Sequence, residues 1–418
     1  MAFYENENKK QLVLLLQVDT GEYDAEASVE ELAGLVYTAG GEVYATLVQK
    51  KDKADSVTYL GSGKLQEAKE ICENADIDLV ICDTELTPTQ QRRLENVFEV
   101  RVIDRTVLIL DIFAQRAKTN EGKLQVELAQ LNYMLPRLTG KGASLSRLGG
   151  GIGTRGPGES KLESDKRHIR RRIHALENEL ELLSKRRERH RERRKKDGVI
   201  SCAIVGYTNA GKSTLLNFLT NAGVLAEDKL FATLDPTARS IKLPDGSDVL
   251  LIDTVGFISR LPHFLVEAFK STLEEATNAD LILILCDASD TECEQQLEVT
   301  KEILKELGAE YKPTVTVYNK CDKTNAFLLT ASHDTVRICA KTGVGVNTLL
   351  QVMADKLPKT KKRLRLLIPF NKGSLAAKVR NNGKVNEEKY REDGIELDAV
   401  VDIQLMKELM EYIIDENE

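Results

Sequence analysis

The sequence predicts an α/β protein. A central α/β domain, with a mostly parallel six-stranded sheet and helices on both faces, is preceded by a small α/β domain with a long helical hairpin. A small α+β domain follows it. Three observations carry this reading. The octapeptide Gly206 to Ser213, GYTNAGKS, joins the apolar run Val199 to Val205 to the helix-like LLNFLTNAG. Short apolar runs alternate with amphipathic ones from residue 11 to about 105. Between these stretches lie two apolar seams at helical spacing, joined by a basic glycine-rich segment.

A chain of 418 residues exceeds one ordinary core, and four segments are expected: 1–115, an N-terminal α/β domain; 116–197, a helical hairpin arm; 198–358, the nucleotide domain; and 359–418, a small α+β domain. Hydrophobic content of 42% and charged content of 30% fit a soluble globular protein. The run Leu12 to Val18 is too short to span a bilayer and lacks a cleavage site, so it reads as a strand, and a cytoplasmic location without a membrane span is expected. Seven scattered cysteines, with no C-x-x-C pair, read as buried reduced thiols, which argues against a disulfide or metal framework. The net charge of -7 conceals an asymmetry: Arg137 to Lys196 holds 19 Lys or Arg against 8 Asp or Glu, a local +11 that leaves -18 elsewhere. One concentrated basic segment in an acidic chain points to a polyanion contact there.

In the first domain QLVLLLQV, VEELAGLVYTAG, EVYATLVQ, KLQEAKEICENA, DLVICD, TQQRRLENVF and VRVID give alternating strands and helices. The GSGK at Gly61 to Lys64 lacks the second glycine of a phosphate loop and reads as a turn opening a helix. Leu124, Leu128, Leu131, Leu135 and Leu138 form one seam, and Leu162, Ile169, Ile173, Leu176, Leu180 and Leu183 a second, which predicts a helical hairpin. The joining segment, residues 139–161, is rich in glycine and basic residues and reads as a tip able to approach phosphate closely. Candidate RNA contacts are Lys141, Arg147, Arg155 and Lys161 in the tip, with Arg170, Arg171, Arg172, Arg186 and Arg187 on the second helix. Aromatic residues do not interleave with these charges, which favours backbone contact over base stacking.

GYTNAGKS matches G-x-x-x-x-G-K-[ST] with a strand before and a helix after, so backbone N–H groups and the helix start converge on an anionic pocket. Lys212 reaches the β- and γ-phosphates and Ser213 ligates Mg2+. Asp253, at the end of VLLID and opening DTVG, holds the Mg2+ shell through water, and the Gly256 N–H reports the γ-phosphate. Thr233 within FATLD is the candidate second hydroxyl ligand, on a loop ordered by the triphosphate. In NKCD, Asp322 accepts from guanine N1–H and its 2-amino group, Asn319 meets the other purine edge, and the Lys320 stem lies across the ring. In CAKTG the Ala340 and Lys341 backbone faces O6, so GTP is preferred over ATP. Segments LRLLIPF, GSLAAKVRNNG, VNEEKYRED, IELDAVVD and QLMKELMEYI predict a β-α-β-β-α domain without a catalytic constellation.

The set GYTNAGKS, FATLD, DTVG, NKCD and CAKTG resembles the translation-factor class of P-loop GTPases, and GGGIGTRGPGESKLESDKRHIRRRI with VTYLGSGKLQE resembles the HflX family in particular. The resemblance spans residues 10 to about 355. It implies a monomeric, Mg2+-dependent GTPase that binds the 50S subunit through its N-terminal domain, meets the 70S ribosome, and helps split or rescue stalled ribosomes under stress. It assigns nucleotide contacts to Gly206, Tyr207, Thr208, Asn209, Ala210, Gly211, Lys212, Ser213 and Thr214. Further contacts are assigned to Phe231, Ala232, Thr233, Leu234 and Asp235; to Asp253, Thr254, Val255 and Gly256; to Asn319, Lys320, Cys321 and Asp322; and to Cys339, Ala340 and Lys341. Lys212, Thr233, Gly256 and Asn209 are the candidate catalytic residues. Asn209 either holds K+ beside the phosphates, as in related GTPases that lack the usual glutamine, or bonds the loop backbone. Phe257 stands where Ras-type GTPases carry that glutamine and cannot orient water, which predicts slow intrinsic hydrolysis accelerated by a partner. Cys339, where many relatives have Ser, is expected to matter little. The alternative function is a ribosome-docking or large-subunit assembly factor in which GTP acts as a conformational switch and hydrolysis is not needed.

Overall fold

A computed structural model describes residues 10–138, 161–220, 230–262, 265, 270–323, 334–358 and 361–415. The first sheet is wholly parallel, in the order β2-β1-β3-β4, from β1 (Leu12–Asp19), β2 (Glu42–Lys50), β3 (Leu79–Cys82) and β4 (Arg101–Asp104). Positions Val13 to Val18 of β1 are all buried, the continuous apolar run of a central strand covered on both faces. Helices α1 (Ala25–Ala39), α2 (Ser62–Asn74), α3 (Pro88–Phe98) and α4 (Arg105–Arg116) connect and extend it. Asp24 caps α1 by accepting from the Glu26 and Ala27 N–H groups, and Thr87 with Gln90 forms a capping box on α3. The GSGK stretch opens α2 directly after Gly61, as expected.

Helices α5 (Asn120–Arg137) and α6 (Lys161–Lys196) form the hairpin. At 1.5 Å per residue, the 36 residues of α6 extend about 54 Å. The α6 seam is half-buried at Ile169, Ile173, Leu180 and Leu183 and wholly buried at Leu176. Along α5 the burial departs from a single seam, because Val126, Ala129 and Tyr133 bury a second stripe in the core shared with α4. The hairpin is therefore part of the folded body at its base. Arg172 forms a bidentate pair with Glu127 across the two helices, at 2.6 and 2.7 Å, and Arg187 pairs with Glu121 at 3.0 Å.

The second sheet has the order β10-β9-β8-β5-β7-β6 and is parallel except for β6. Its strands are β5 (Ile200–Gly206), β6 (Thr237–Lys242), β7 (Asp248–Asp253), β8 (Leu281–Asp287), β9 (Thr314–Asn319) and β10 (Thr335–Arg337). The hairpin expected at Pro244 to Gly246 joins β6 to β7 and supplies the antiparallel edge. Helices α7 (Lys212–Thr220), α8 (Lys270–Asn278), α9 (Cys293–Glu306) and α10 (Val346–Lys356) complete this layer. The third sheet, β12-β13-β11-β14, is antiparallel, from β11 (Lys361–Ile368), β12 (Lys384–Tyr390), β13 (Ile395–Asp402) and β14 (Ile413–Asp415), with α11 (Gly373–Asn382) and α12 (Ile403–Leu409). The short β14 adds one strand to the expected β-α-β-β-α pattern.

One apolar core runs from the first sheet into the second. It unites Leu32, Leu35, Ile109 and Phe113 with Tyr207, Phe231, Leu234, Val255, Phe257 and Ile258. The loops expected to sense nucleotide are thus packed against the preceding domain. Among the described residues no helix is long and apolar enough to cross a membrane.

Candidate nucleotide-binding site

Strand β5 lies between β7 and β8 and delivers its loop to the carboxyl edge of the parallel strands, where α/β sheets place ligands. A cleft of about 430 Å3 opens there, lined by residues from all five sequence motifs, including Thr208, Lys212, Ser213, Thr214, Ala232, Thr233, Gly256, Asn319, Asp322 and Cys339. Gly211 adopts φ +94°, and a Cβ there would overlap the Asn319 Nδ2. Its glycine therefore serves both the turn and the close approach of the base-side loop.

At the phosphate end, Lys212 is buried and its Nζ donates to the carbonyls of Gly206 at 3.1 Å and Tyr207 at 2.7 Å. Burial pushes its ammonium down to about 8, against the opposing pull of Asp253. A Cβ on Gly256 would lie 2.9 Å from Lys212 Nζ and 2.8 Å from Thr208 Cγ2, so glycine lets the DTVG backbone reach the phosphate lysine. Ser213 Oγ donates to Asp253 Oδ2 at 2.8 Å, Thr233 Oγ1 donates to the same oxygen at 3.2 Å, and the two hydroxyls stand 2.9 Å apart. Asp253 is fully buried, its carboxyl is raised by that burial, and its Oδ1 has no hydrogen-bond partner. Two hydroxyls beside a buried carboxylate with a spare oxygen form the hard donor set that suits Mg2+.

Phe257 is 1% exposed and faces the shared core. Its backbone zips onto the phosphate loop: the Thr208 N–H donates to Phe257 O at 2.7 Å, and the Phe257 N–H donates to Gly206 O at 3.1 Å. The position after DTVG therefore sends no side chain into the cleft. Asn209, at φ +61°, is exposed at the rim of the cleft.

At the base end Asn319 spans two loops, its Nδ2 donating to Ala210 O at 2.8 Å and its Oδ1 accepting from the Ala340 N–H at 2.9 Å. Asn319 thus braces the pocket as well as facing it, and Ala340 spends on that brace the N–H expected at O6. Lys320 Nζ sits 2.6 Å from Asp287 Oδ2, which fixes its stem along the cleft wall. Asp322 is exposed at the mouth, and hydrogen bonding from Cys339 lowers its carboxyl.

Family models match nearly the whole first three-quarters of the chain: "GTP-binding GTPase N-terminal" over residues 26–114, "GTP-binding GTPase Middle Region" over 116–194 and "50S ribosome-binding GTPase" over 201–320. The chain is 49% identical to the GTPase HflX of Caldanaerobacter subterraneus over 97% of its length and 94% of that protein. It is 49% identical to the GTPase HflX of Lacrimispora saccharolytica, covering 95% of each, and 42% identical to that of Escherichia coli, covering 92% of each. The chain belongs to the HflX family. It is a GTP-hydrolysing enzyme.

Several residues that the resemblance assigned to nucleotide lie elsewhere in this HflX-family chain. Tyr207 turns its hydroxyl away from the cleft to Glu31 of α1 and to the Ser259 N–H. Leu234 and Val255 are core residues, and Thr254 Oγ1 donates to Ile204 O at 2.7 Å, tying β7 to β5. Cys321 Sγ donates to Tyr318 O at 3.2 Å. Phe231 borders the cleft, but its ring stacks edge-on against Phe113 of α4, centroids 4.7 Å apart. Asp235 accepts from the Lys118 and Thr119 N–H groups, at the start of the arm. Sequence reasoning also missed Lys323, which lines the cleft two residues after Cys321.

A second group holds the loop after DTVG to the first domain. Arg105, 3% exposed, bonds Glu31, reaches Asp83 at 3.0 Å and donates to Ser259 O at 3.1 Å. Arg260 pairs with Asp83 at 2.5 Å and stacks 3.9 Å over the Tyr23 ring. Such pairs between distant segments leave no local pattern to read.

Of the candidate RNA contacts, Arg172 and Arg187 are taken up by the hairpin pairs described above. Arg170 lies 3.8 Å from Glu163, while Arg171 and Arg186 are exposed. Lys161 opens α6. Lys141, Arg147 and Arg155 lie outside the described residues.

Proposed function

We propose that this HflX-family GTPase docks on the large ribosomal subunit and that its GTP-bound state helps split or rescue stalled ribosomes. The observation that carries the reading is the pairing of a guanine-type cleft, into which Phe257 sends no side chain, with a basic helical arm. The cleft awaits help with hydrolysis, and the arm suits phosphate-rich RNA. The family model over residues 201–320, described as a 50S ribosome-binding GTPase, supports the same partner.

In this reading the ammonium of Lys212 neutralises charge between the β- and γ-phosphates, and the Gly256 N–H contacts the γ-phosphate. Ser213 and Thr233 would hold Mg2+ directly and Asp253 through water. The bound ion supplies charge neutralisation across the phosphate oxygens. Asn209, exposed at the rim, is the residue that would hold K+. Asp322 reads the guanine edge.

GTP turnover measured with and without purified 50S and 70S particles tests this. A rise of an order of magnitude or more is expected, because the missing water-orienting group must be supplied from outside. Turnover unchanged by either particle would overturn it. Lys212→Ala or Asp253→Ala chains that still split ribosomes at the full rate would favour the docking-factor alternative.

A further inference from the structure

We infer that Asp235 is a positioning residue that ties the Mg2+-side hydroxyl of Thr233 to the first turn of the helical arm. The inference rests on the assignment of Thr233 to the GTP-bound site. The Asp235 carboxylate accepts from the Lys118 N–H at 2.8 Å and the Thr119 N–H at 2.9 Å, and it also takes the Thr119 hydroxyl hydrogen. That same hydroxyl oxygen accepts from the Gly122 N–H at 3.0 Å, so Thr119 caps α5 while being held by Asp235. A carboxylate at this helix start also meets the positive end of the α5 dipole. A Cβ on Gly122 would stand 2.5 Å from Asp235 Oδ1, so residue 122 is kept clear for the carboxylate.

Only Leu234 separates this clasp from Thr233, and Leu234 is 2% exposed in the core shared with the first domain. Thr233 is at the same time within hydrogen-bond distance of Ser213 and Asp253. The segment is thus pinned at both ends, one in the nucleotide cleft and one at the arm. Placing Thr233 for the triphosphate and capping α5 become one event. By reciprocity, whatever fixes the base of the arm favours GTP over GDP, and GTP favours the fixed arm.

The test uses the full chain with Mg2+ and either a non-hydrolysable GTP analogue or GDP. Hydrogen exchange at the Lys118 and Thr119 amides reads the clasp itself, and nucleotide titration reads its effect. With the GTP analogue these amides are expected to exchange more slowly than with GDP. In D235N, T119V and G122A that difference disappears and analogue affinity falls on the order of 5- to 50-fold, while GDP affinity, which also reports folding, holds. T119S restores both. Equal exchange in the two nucleotide states, or a D235N chain that keeps the wild-type GTP-to-GDP ratio, would overturn the inference. T233A separates the two levels. If it loses the GTP preference while D235N keeps it, the clasp alone fails; if T233A keeps it as well, the assignment of Thr233 fails.

Discussion

Raising the pH from 7 to 9 should weaken GTP binding about tenfold, through Lys212 alone. In the free chain this ammonium is pushed down to about 8 by burial, with only Asp253 pulling the other way. A bound triphosphate adds several negative charges beside it and lifts it well clear of that range. The sign follows: below pH 8 the lysine is charged in both states and binding moves no proton. Above pH 8 the free chain has lost the proton and binding must take it back. At pH 9 about one free chain in ten remains charged, so the dissociation constant rises about tenfold, or about 1.4 kcal/mol. Fluorescence titration with a labelled non-hydrolysable analogue, at fixed ionic strength and Mg2+, measures the change. Calorimetry at pH 8.5 in two buffers of different ionisation heat should report uptake of about three-quarters of a proton. K212R keeps its charge and should give a flat profile. A wild-type dissociation constant unchanged from pH 7 to 9, with no buffer-dependent heat, would refute the argument.

Removing the Ser213 hydroxyl, in S213A, should raise the Mg2+ concentration needed for analogue binding by about 10- to 100-fold, measured by metal titration at saturating nucleotide. D322N should lose GTP affinity by about 100-fold or more and gain affinity for a xanthosine nucleotide, whose 2-oxo group accepts from the new carboxamide; competition titration reads both changes. R105M leaves Glu31 and Asp83 short of a buried partner and should cost about 3–5 kcal/mol in denaturant unfolding. R171A with R186A, both exposed and outside the hairpin pairs, should lower the salt dependence of RNA binding by about one unit of slope for each phosphate no longer neutralised, with no change in GTP affinity.

The cleft was legible in sequence because each of its parts is a local solution to a local problem. A phosphate loop needs Gly211 and Lys212 at fixed spacing, and a base-reading carboxylate needs a strand end such as Thr314–Asn319 just before it. The parallel sheets were legible for a similar reason, since strands buried on both faces read as unbroken apolar runs. What the sequence concealed depends on residues far apart in the chain. Arg260 with Asp83, Ser259 with Glu31 and Asp235 with Thr119 join segments more than a hundred residues apart. Tyr207 and Asp235 sit inside motifs that conventionally touch nucleotide, so pattern alone assigned them to the cleft; only the packing of α1 and α5 shows that they face the other way. The second apolar stripe of α5 was likewise hidden behind a regular leucine seam. The charges of Arg172 and Arg187 resembled an RNA surface until their partners on α5 were placed.

Co-sedimentation of the chain with purified 50S subunits tests most directly whether nucleotide state governs ribosome docking. With Mg2+ and a non-hydrolysable GTP analogue the chain should travel with the subunit, and with GDP most of it should stay behind. Equal co-sedimentation in the two states would contradict the claim that the nucleotide governs docking.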